Sequence, residues 1–152
     1  MNSLEIENFL RRDTKCAKMF RGVIASDQLN QLILEPKSIY IVNTAPTDHL
    51  GLHWTAIYYE DKEHLVEFWD SLGQKPEIYG PYFNDFFKRC NYQYNDTRIQ
   101  GQKSTCGHFC LFYAFYKCRA FSMPSILETF SLDVTCNDAI VINFVQNLLF
   151  VY

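Results

Sequence analysis

The stretch STCGHFCLFYAFYKCRA, residues 104–120, constrains the fold more than any other part of the chain. It has helical length, and its apolar residues recur on nearly every face instead of along one stripe. Such a helix is stable only when other elements cover it all round, so it is read as the central buried helix. The cover needs apolar material elsewhere, and the chain has it: 48 % of residues are apolar and 16 % aromatic, with 13 Phe and 10 Tyr. Its 152 residues suit one domain and leave no room for two full ones, so residues 1–152 are read as a single domain.

The flanking segments supply the cover. Residues 3–12 read as a helix, capped by Asn2 with Glu5 in the capping-box position and carrying Leu4, Ile6, Phe9 and Leu10 on one face. A short strand at 20–24 and a helical turn within 26–34, closed by Pro36, follow. SIYIVNT (38–44), LHWTAIYY (52–59) and HLVEFWD (64–70) are strands, the last two joined by a polar turn from Glu60 to Glu63. Tyr79, Tyr82, Phe83, Phe86 and Phe87 mark a helix over 77–90, and a strand is expected at 92–99. A last helix spans about 135–150, with Thr135 or Asn137 as its cap. Helix, strands, helix, strand, helices is an α+β order rather than a doubly wound one.

Charge and cysteine usage exclude several classes. Fourteen basic against seventeen acidic residues give a net charge of −3, a poor basis for gripping nucleic acid backbone. No apolar run reaches 18 residues, and MNSLEIENFLRRD lacks the apolar core of a secretory signal. Three of the six cysteines, Cys106, Cys110 and Cys118, fall on one predicted helix, which favours reduced thiols inside a cell over a disulfide framework. There is no C-x-x-C pair, and no metal site is expected.

Chemistry is concentrated in three places. If Glu60–Glu63 is the loop, Tyr59 faces His64. Counting back along both strands then sets His53 opposite Asp70 on one face and Trp54 opposite Trp69 on the other. On its own the pair also fits a satisfied core histidine beside a turn aspartate. Cys106 follows two N-cap residue types, Ser104 and Thr105, and so opens the buried helix. The positive end of a helix favours a thiolate, the nucleophilic form. Gly107 beside it leaves room for a substrate backbone, whereas Cys16, Cys110, Cys118 and Cys136 read as ordinary buried thiols. Gln100 and Gln102 lie just upstream, where a carboxamide N–H can stabilise an oxyanion together with the Cys106 N–H. Nucleophile, base, orienter and oxyanion donor then occur in the chain order His, Asp, Gln, Cys.

These residues resemble the adenovirus maturation protease (adenain) family and, more distantly, the SUMO-specific proteases. The resemblance rests on YIVNTA (40–45), LGLHWTAIYYE (50–60), VEFWDSLG (66–73) and IQGQKSTCGHFC (99–110). It implies a mixed central sheet packed between helices, with Cys106 as nucleophile, His53 as base, Asp70 as imidazole orienter and Gln100, in its Gln-Gly pair, as oxyanion donor. Trp54 is read as core packing. The resemblance further implies a cysteine endopeptidase, monomeric, cutting capsid and core precursors after small residues such as Gly, inside a host cell and in the virion, and not on a membrane. It needs no cofactor for its chemistry. The family's activating peptide, which adds to the sheet partly through a disulfide, would reach Cys90. Assistance by DNA is weakly supported in this acidic chain, where FLRRD (9–13) and KRC (88–90) are the compact basic spots. Removal of ubiquitin-like modifiers, acetyl transfer and a catalytically silent interaction module are the competing expectations.

Overall fold

Asn2 opens the first helix as its sequence predicts. Its side chain accepts the Glu5 N–H at 2.9 Å, and the Glu5 carboxylate accepts the Asn2 N–H at 2.7 Å. The computed structural model describes residues 1–149. Helix α1 (Ser3–Arg12) buries Ile6, Phe9 and Leu10 but leaves Leu4 exposed. A short helix α2 (Cys16–Met19), not foreseen from the sequence, leads into strand β1 (Phe20–Ala25) and a 3-10 turn at Ser26–Gln31. Strands β2 (Ser38–Asn43), β3 (Trp54–Glu60) and β4 (Leu65–Trp69) follow, then helix α3 (Pro81–Phe87) and strand β5 (Asn91–Tyr94). The chain ends in helices α4 (Cys106–Lys117), α5 (Met123–Leu127) and α6 (Val134–Leu149). The expected end of the last helix at residue 150 lies outside the described residues.

The five strands lie in sequence order across one mixed sheet. β1 and β2 are parallel, β2, β3 and β4 alternate, and β5 returns parallel to β4. Every residue of β2 is buried, which follows from helices on both faces. On one face Ile39 and Ile41 meet α1, α4 and α6 through Phe9, Leu10, Phe109 and Val141. On the other, Tyr40, Val42, Ile57 and Phe68 meet Phe83, Phe86 and Phe87 of α3. Helix α4 is buried from Cys106 to Ala114, apart from half-buried His108, and Tyr113 stacks on Trp69 with ring centroids 4.7 Å apart. Each fully buried aromatic or aliphatic side chain stabilises the fold by about 1.5–3 kcal/mol, so this helix anchors the layer.

The hairpin register differs from the sequence expectation. The turn runs from Asp61 to His64, with His64 in the left-handed region at φ 48°, and Glu60 joins the ladder opposite Leu65. Trp69 therefore faces Ala56 rather than Trp54, and the expected tryptophan pair does not form. The shift is two residues, so every side chain stays on its expected face. His53 and Asp70 consequently remain neighbours, as a diagonal pair just beyond the strand ends.

Two further boundaries moved. The helix expected over 77–90 is split into a 3-10 turn at Pro76–Tyr79 and α3, because Gly80 takes φ 100° and Pro81 starts a new helix. The strand expected at 92–99 stops at Tyr94, because the Asn95 side chain takes over the pairing. Its Oδ1 accepts the Asp70 N–H at 2.8 Å and its Nδ2 donates to the Asp70 carbonyl at 2.5 Å. Cys136, expected to be buried, is exposed near the start of α6, where its Sγ lies 3.2 Å from the Asp133 carboxylate.

Candidate active site

The strand directions bring one end of each strand to a common edge. β1 and β2 finish there with Ala25 and Asn43, β3 starts there after His53, and β4 and β5 finish just before Asp70 and Asn95. The N-terminus of α4 reaches the same edge and carries Cys106.

Asp70 is fully buried and fixed on all sides. Its Oδ1 lies 2.6 Å from His53 Nε2 and accepts the Leu72 N–H at 3.0 Å. Its Oδ2 accepts the Gln74 N–H at 3.0 Å and the Tyr79 hydroxyl at 2.6 Å. Burial pushes its pKa up, but the hydrogen bonds from His53 and Tyr79 and the charge on His53 prevail and hold it below the ordinary carboxylate value. The Tyr79 ring also lies over the imidazole, with centroids 5.8 Å apart.

His53 links the two ends of the site. With Nε2 committed to Asp70, Nδ1 is the nitrogen left to interact with Cys106. Burial alone would lower the His53 pKa. Hydrogen bonds and negative charge from Asp70 and Cys106 outweigh it and raise the value to about 9. For Cys106 burial again opposes the charged form. The hydrogen bond to His53, the N–H groups of Trp54 and Gly107, and the histidine charge lower the thiol pKa below its ordinary value. The two shifts have opposite signs and one cause: the geometry favours a thiolate beside an imidazolium.

Gln100 is buried and oriented. Its Oε1 accepts the Ser71 hydroxyl at 2.5 Å, which assigns the other end of the carboxamide as N–H₂. One of those N–H bonds goes to the Gln102 carbonyl, leaving the second available. Gln102 itself is exposed and contributes its backbone, not its side chain. Thr105 precedes α4 without capping it. Its hydroxyl turns to the Gln102 carbonyl at 2.8 Å and to Asp138 at 2.7 Å.

A cleft of about 610 Å³ opens at Cys106, with Ala25, Asn43, Leu52, Trp54 and Lys103 among its walls. Asn43 shapes it. Its Oδ1 accepts the N–H groups of Ala45 at 2.9 Å and Leu52 at 3.2 Å, tying together the loop that leads to His53. A Cβ on Gly51 would lie 2.8 Å from Asn43 Nδ2, so a larger residue there would displace the Asn43 side chain that ties this wall of the cleft. Gly107 has a different role from the one its position suggests. A Cβ there would approach Met1 Cβ to 3.2 Å and Trp54 Cδ1 to 3.4 Å, so it makes room for the protein's own chain, not for a ligand. Trp54 is held there by its indole N–H, which donates to the Met1 carbonyl at 3.1 Å.

The structure therefore brings His53, Asp70 and Cys106 together, and Gln100 borders them through Ser71 and the 99–105 loop. Cys90 is not part of this group. It sits before β5 at the opposite end of the sheet, half-buried, with its thiol on the Phe86 carbonyl at 3.3 Å and its pKa raised by burial. Sequence reasoning missed Tyr79, Ser71, Asn95 and Asp138. Tyr79 was assigned only to a helix face, and Asp138 stands beside a residue read as a helix cap.

No family model matches the chain. It is similar to a protease of Bovine adenovirus 7, with 27 % identity over 57 % of this chain and 51 % of that protein. A protease of Bovine adenovirus 4 is 30 % identical over 52 % of this chain and 47 % of its own length. The chain spans about half the length of these curated relatives. Among solved structures, the ASFV protease superposes with a TM-score of 0.64 over 90 % of this chain and 64 % of its own, at 17 % identity. The chain shares the fold of that protease and is related in sequence to the adenovirus proteases.

Proposed function

We propose that the chain is a viral cysteine endopeptidase in which Cys106 attacks a peptide carbonyl. The observation that carries this reading is the His53 imidazole held between the buried Asp70 carboxylate and the thiol of Cys106, a residue that lines an open cleft. The Cys106 sulfur adds to the carbonyl carbon, and the carbonyl oxygen becomes an oxyanion. The free N–H of Gln100 and the backbone N–H of Cys106 stabilise that charge. The His53 imidazolium gives its proton to the leaving amine, and the C–N bond breaks to leave a thioester. The now neutral imidazole takes a proton from water as the water oxygen adds to the thioester carbon, and the C–S bond then breaks to release the acid and restore the thiolate–imidazolium pair. Asp70 keeps its charge throughout and holds the ring with Nδ1 toward the sulfur.

Its substrates are polypeptides cut after small residues, capsid and core precursors during particle maturation. The relatedness to adenovirus proteases supports that assignment. An activating peptide would add to the outer strand β5, which follows Cys90 and pairs only with β4 among the described residues. The chemistry itself needs no cofactor.

The test is hydrolysis of a panel of fluorogenic peptides with Gly on the acyl side, alongside amide probes carrying a ubiquitin-like C-terminal tail. Cleavage of the peptides that disappears in Cys106→Ala supports the endopeptidase. Cleavage of the modifier probes alone would reassign the substrate. Failure of an electrophilic probe to label Cys106 at neutral pH would make the chain a silent module of the same fold.

A further inference from the structure

Helix α6 carries a buried carboxylate, Asp138, which forms no ion pair among the described residues and accepts from the 99–105 loop. Its Oδ2 accepts the N–H groups of Gly101 at 3.1 Å and Gln102 at 2.8 Å, and its Oδ1 accepts the Thr105 hydroxyl at 2.7 Å. Its neighbour Asn137 donates to the Ile99 carbonyl at 3.1 Å. Two consecutive residues of α6 thus hold both sides of Gln100. A buried carboxylate is costly unless hydrogen-bonded, so three donors converging on this one mark a fixed arrangement.

We infer that Asp138 is the positioning residue of the oxyanion site, acting through the Gln102 peptide. This rests on the protease reading above. By accepting the Gln102 N–H, Asp138 fixes the plane of that peptide and hence the direction of its carbonyl. The same carbonyl accepts one N–H of the Gln100 carboxamide and stands 2.8 Å from the Thr105 oxygen, whose one proton goes to Asp138. Gln100 supplies the side-chain donor, and Thr105 precedes the helix whose first N–H is the backbone donor. One carboxylate therefore sets the spacing between the two donors. The clamp also explains the glycine of the Gln-Gly pair. A Cβ on Gly101 would come within 2.7 Å of Asp138 Oδ2 and 3.2 Å of Val134 Cγ2, so any larger residue pushes the carboxylate off the loop.

The chemistry of the clamp separates two variants. Asp138→Asn can turn its carbonyl to the Gly101 and Gln102 N–H groups and its N–H₂ to the Thr105 oxygen, because a hydroxyl can accept as well as donate. It keeps kcat within about fivefold of the parent. Asp138→Ala leaves the donors without a partner and lowers kcat about 10-fold to 100-fold with KM little changed. Alkylation of Cys106 by iodoacetamide develops no oxyanion and depends on the thiolate–imidazolium pair alone, so its rate stays at the parent value in both variants. Gly101→Ala, which displaces the carboxylate without removing it, reproduces the kcat loss and serves if Asp138→Ala does not fold.

The account is overturned if Asp138→Ala and Gly101→Ala keep parental kcat, or if alkylation falls together with kcat. Hydrogen exchange of the Gly101 and Gln102 amides reads the clamp without any turnover. Protection in the parent that is lost in Asp138→Ala supports it, and unchanged exchange contradicts it. A parent chain that cleaves no peptide but shows this exchange pattern sinks the protease reading and not the clamp.

Discussion

Glu67 and Asp70 are buried, ion-paired carboxylates three residues apart at the end of the same hairpin, and they differ in the partners they meet. Glu67 faces α4. It accepts Tyr113 at 2.7 Å, Lys117 at 2.7 Å and Gln93 at 3.1 Å, and Lys117 lies over the Tyr58 ring at 4.4 Å. Its ion-pair partner is the Lys117 ammonium, which is itself nearly buried. Asp70 points to the other face, accepts two backbone N–H groups and a tyrosine, and has a histidine as its ionisable partner. That histidine also interacts with the cleft thiol. Burial and ion pairing are common to both carboxylates. What makes one a site is a partner whose proton can move and which reaches a nucleophile.

The comparison is broken most forcefully at the thiol. Cys106→Ala abolishes peptide hydrolysis while the circular dichroism spectrum stays that of the parent. His53→Ala costs nearly as much in kcat, because members of such a unit are not additive. Residual turnover by the alanine variant at Cys106 would remove the nucleophile from the account.

A smaller effect is expected at Asp70→Asn, together with a change in pH profile. The active ion pair exists above the lowered thiol pKa and below the His53 pKa of about 9. Asp70 helps raise that histidine value, so its amide moves the alkaline limb of kcat/KM to lower pH. Stability follows the same sign. The folded-state pKa of His53 lies above the ordinary value of 6.5, so its stabilising contribution is complete below that value and is lost as pH rises through about 9. A profile whose alkaline limb does not move would contradict the role given to Asp70.

At Glu67→Gln the expected change in kcat and in the pH limbs is nil, and the cost falls on folding. Removing one partner of a buried ion pair destabilises by about 3 kcal/mol, measurable by urea denaturation. A loss of kcat without loss of stability would erase the distinction between the two carboxylates.

Much of this site was legible because the relevant signals are local. Cys106 opening an apolar helix, and His53 and Asp70 on one face of a hairpin, follow from periodicity alone. The hairpin also shows why a wrong register can leave a right answer. The turn was misplaced by His64, whose left-handed conformation no propensity announces, yet a two-residue shift preserves faces. Gln100 was singled out by its place before the nucleophile, but its orientation depends on Ser71, 29 residues away. Asn95 and Asp138 were illegible for the same reason. Each acts through hydrogen bonds to loop backbone more than 20 residues distant, and nothing in a polar residue's type reveals which backbone it meets. Gly107 and Gly51 make the point in reverse. Both lie beside the site, but Gly107 accommodates Met1 whereas Gly51 shapes the cleft wall.

The central claim is that Cys106 is held as a thiolate by His53, and absorbance near 240 nm measures this directly as the difference between the parent and Cys106→Ala across pH. The account predicts a thiolate signal that appears at lower pH than for an ordinary thiol in the parent and moves to higher pH in His53→Ala, where burial acts without the imidazole to oppose it. A Cys106 that titrates as an ordinary thiol in the parent, unaffected by the loss of His53, would contradict it.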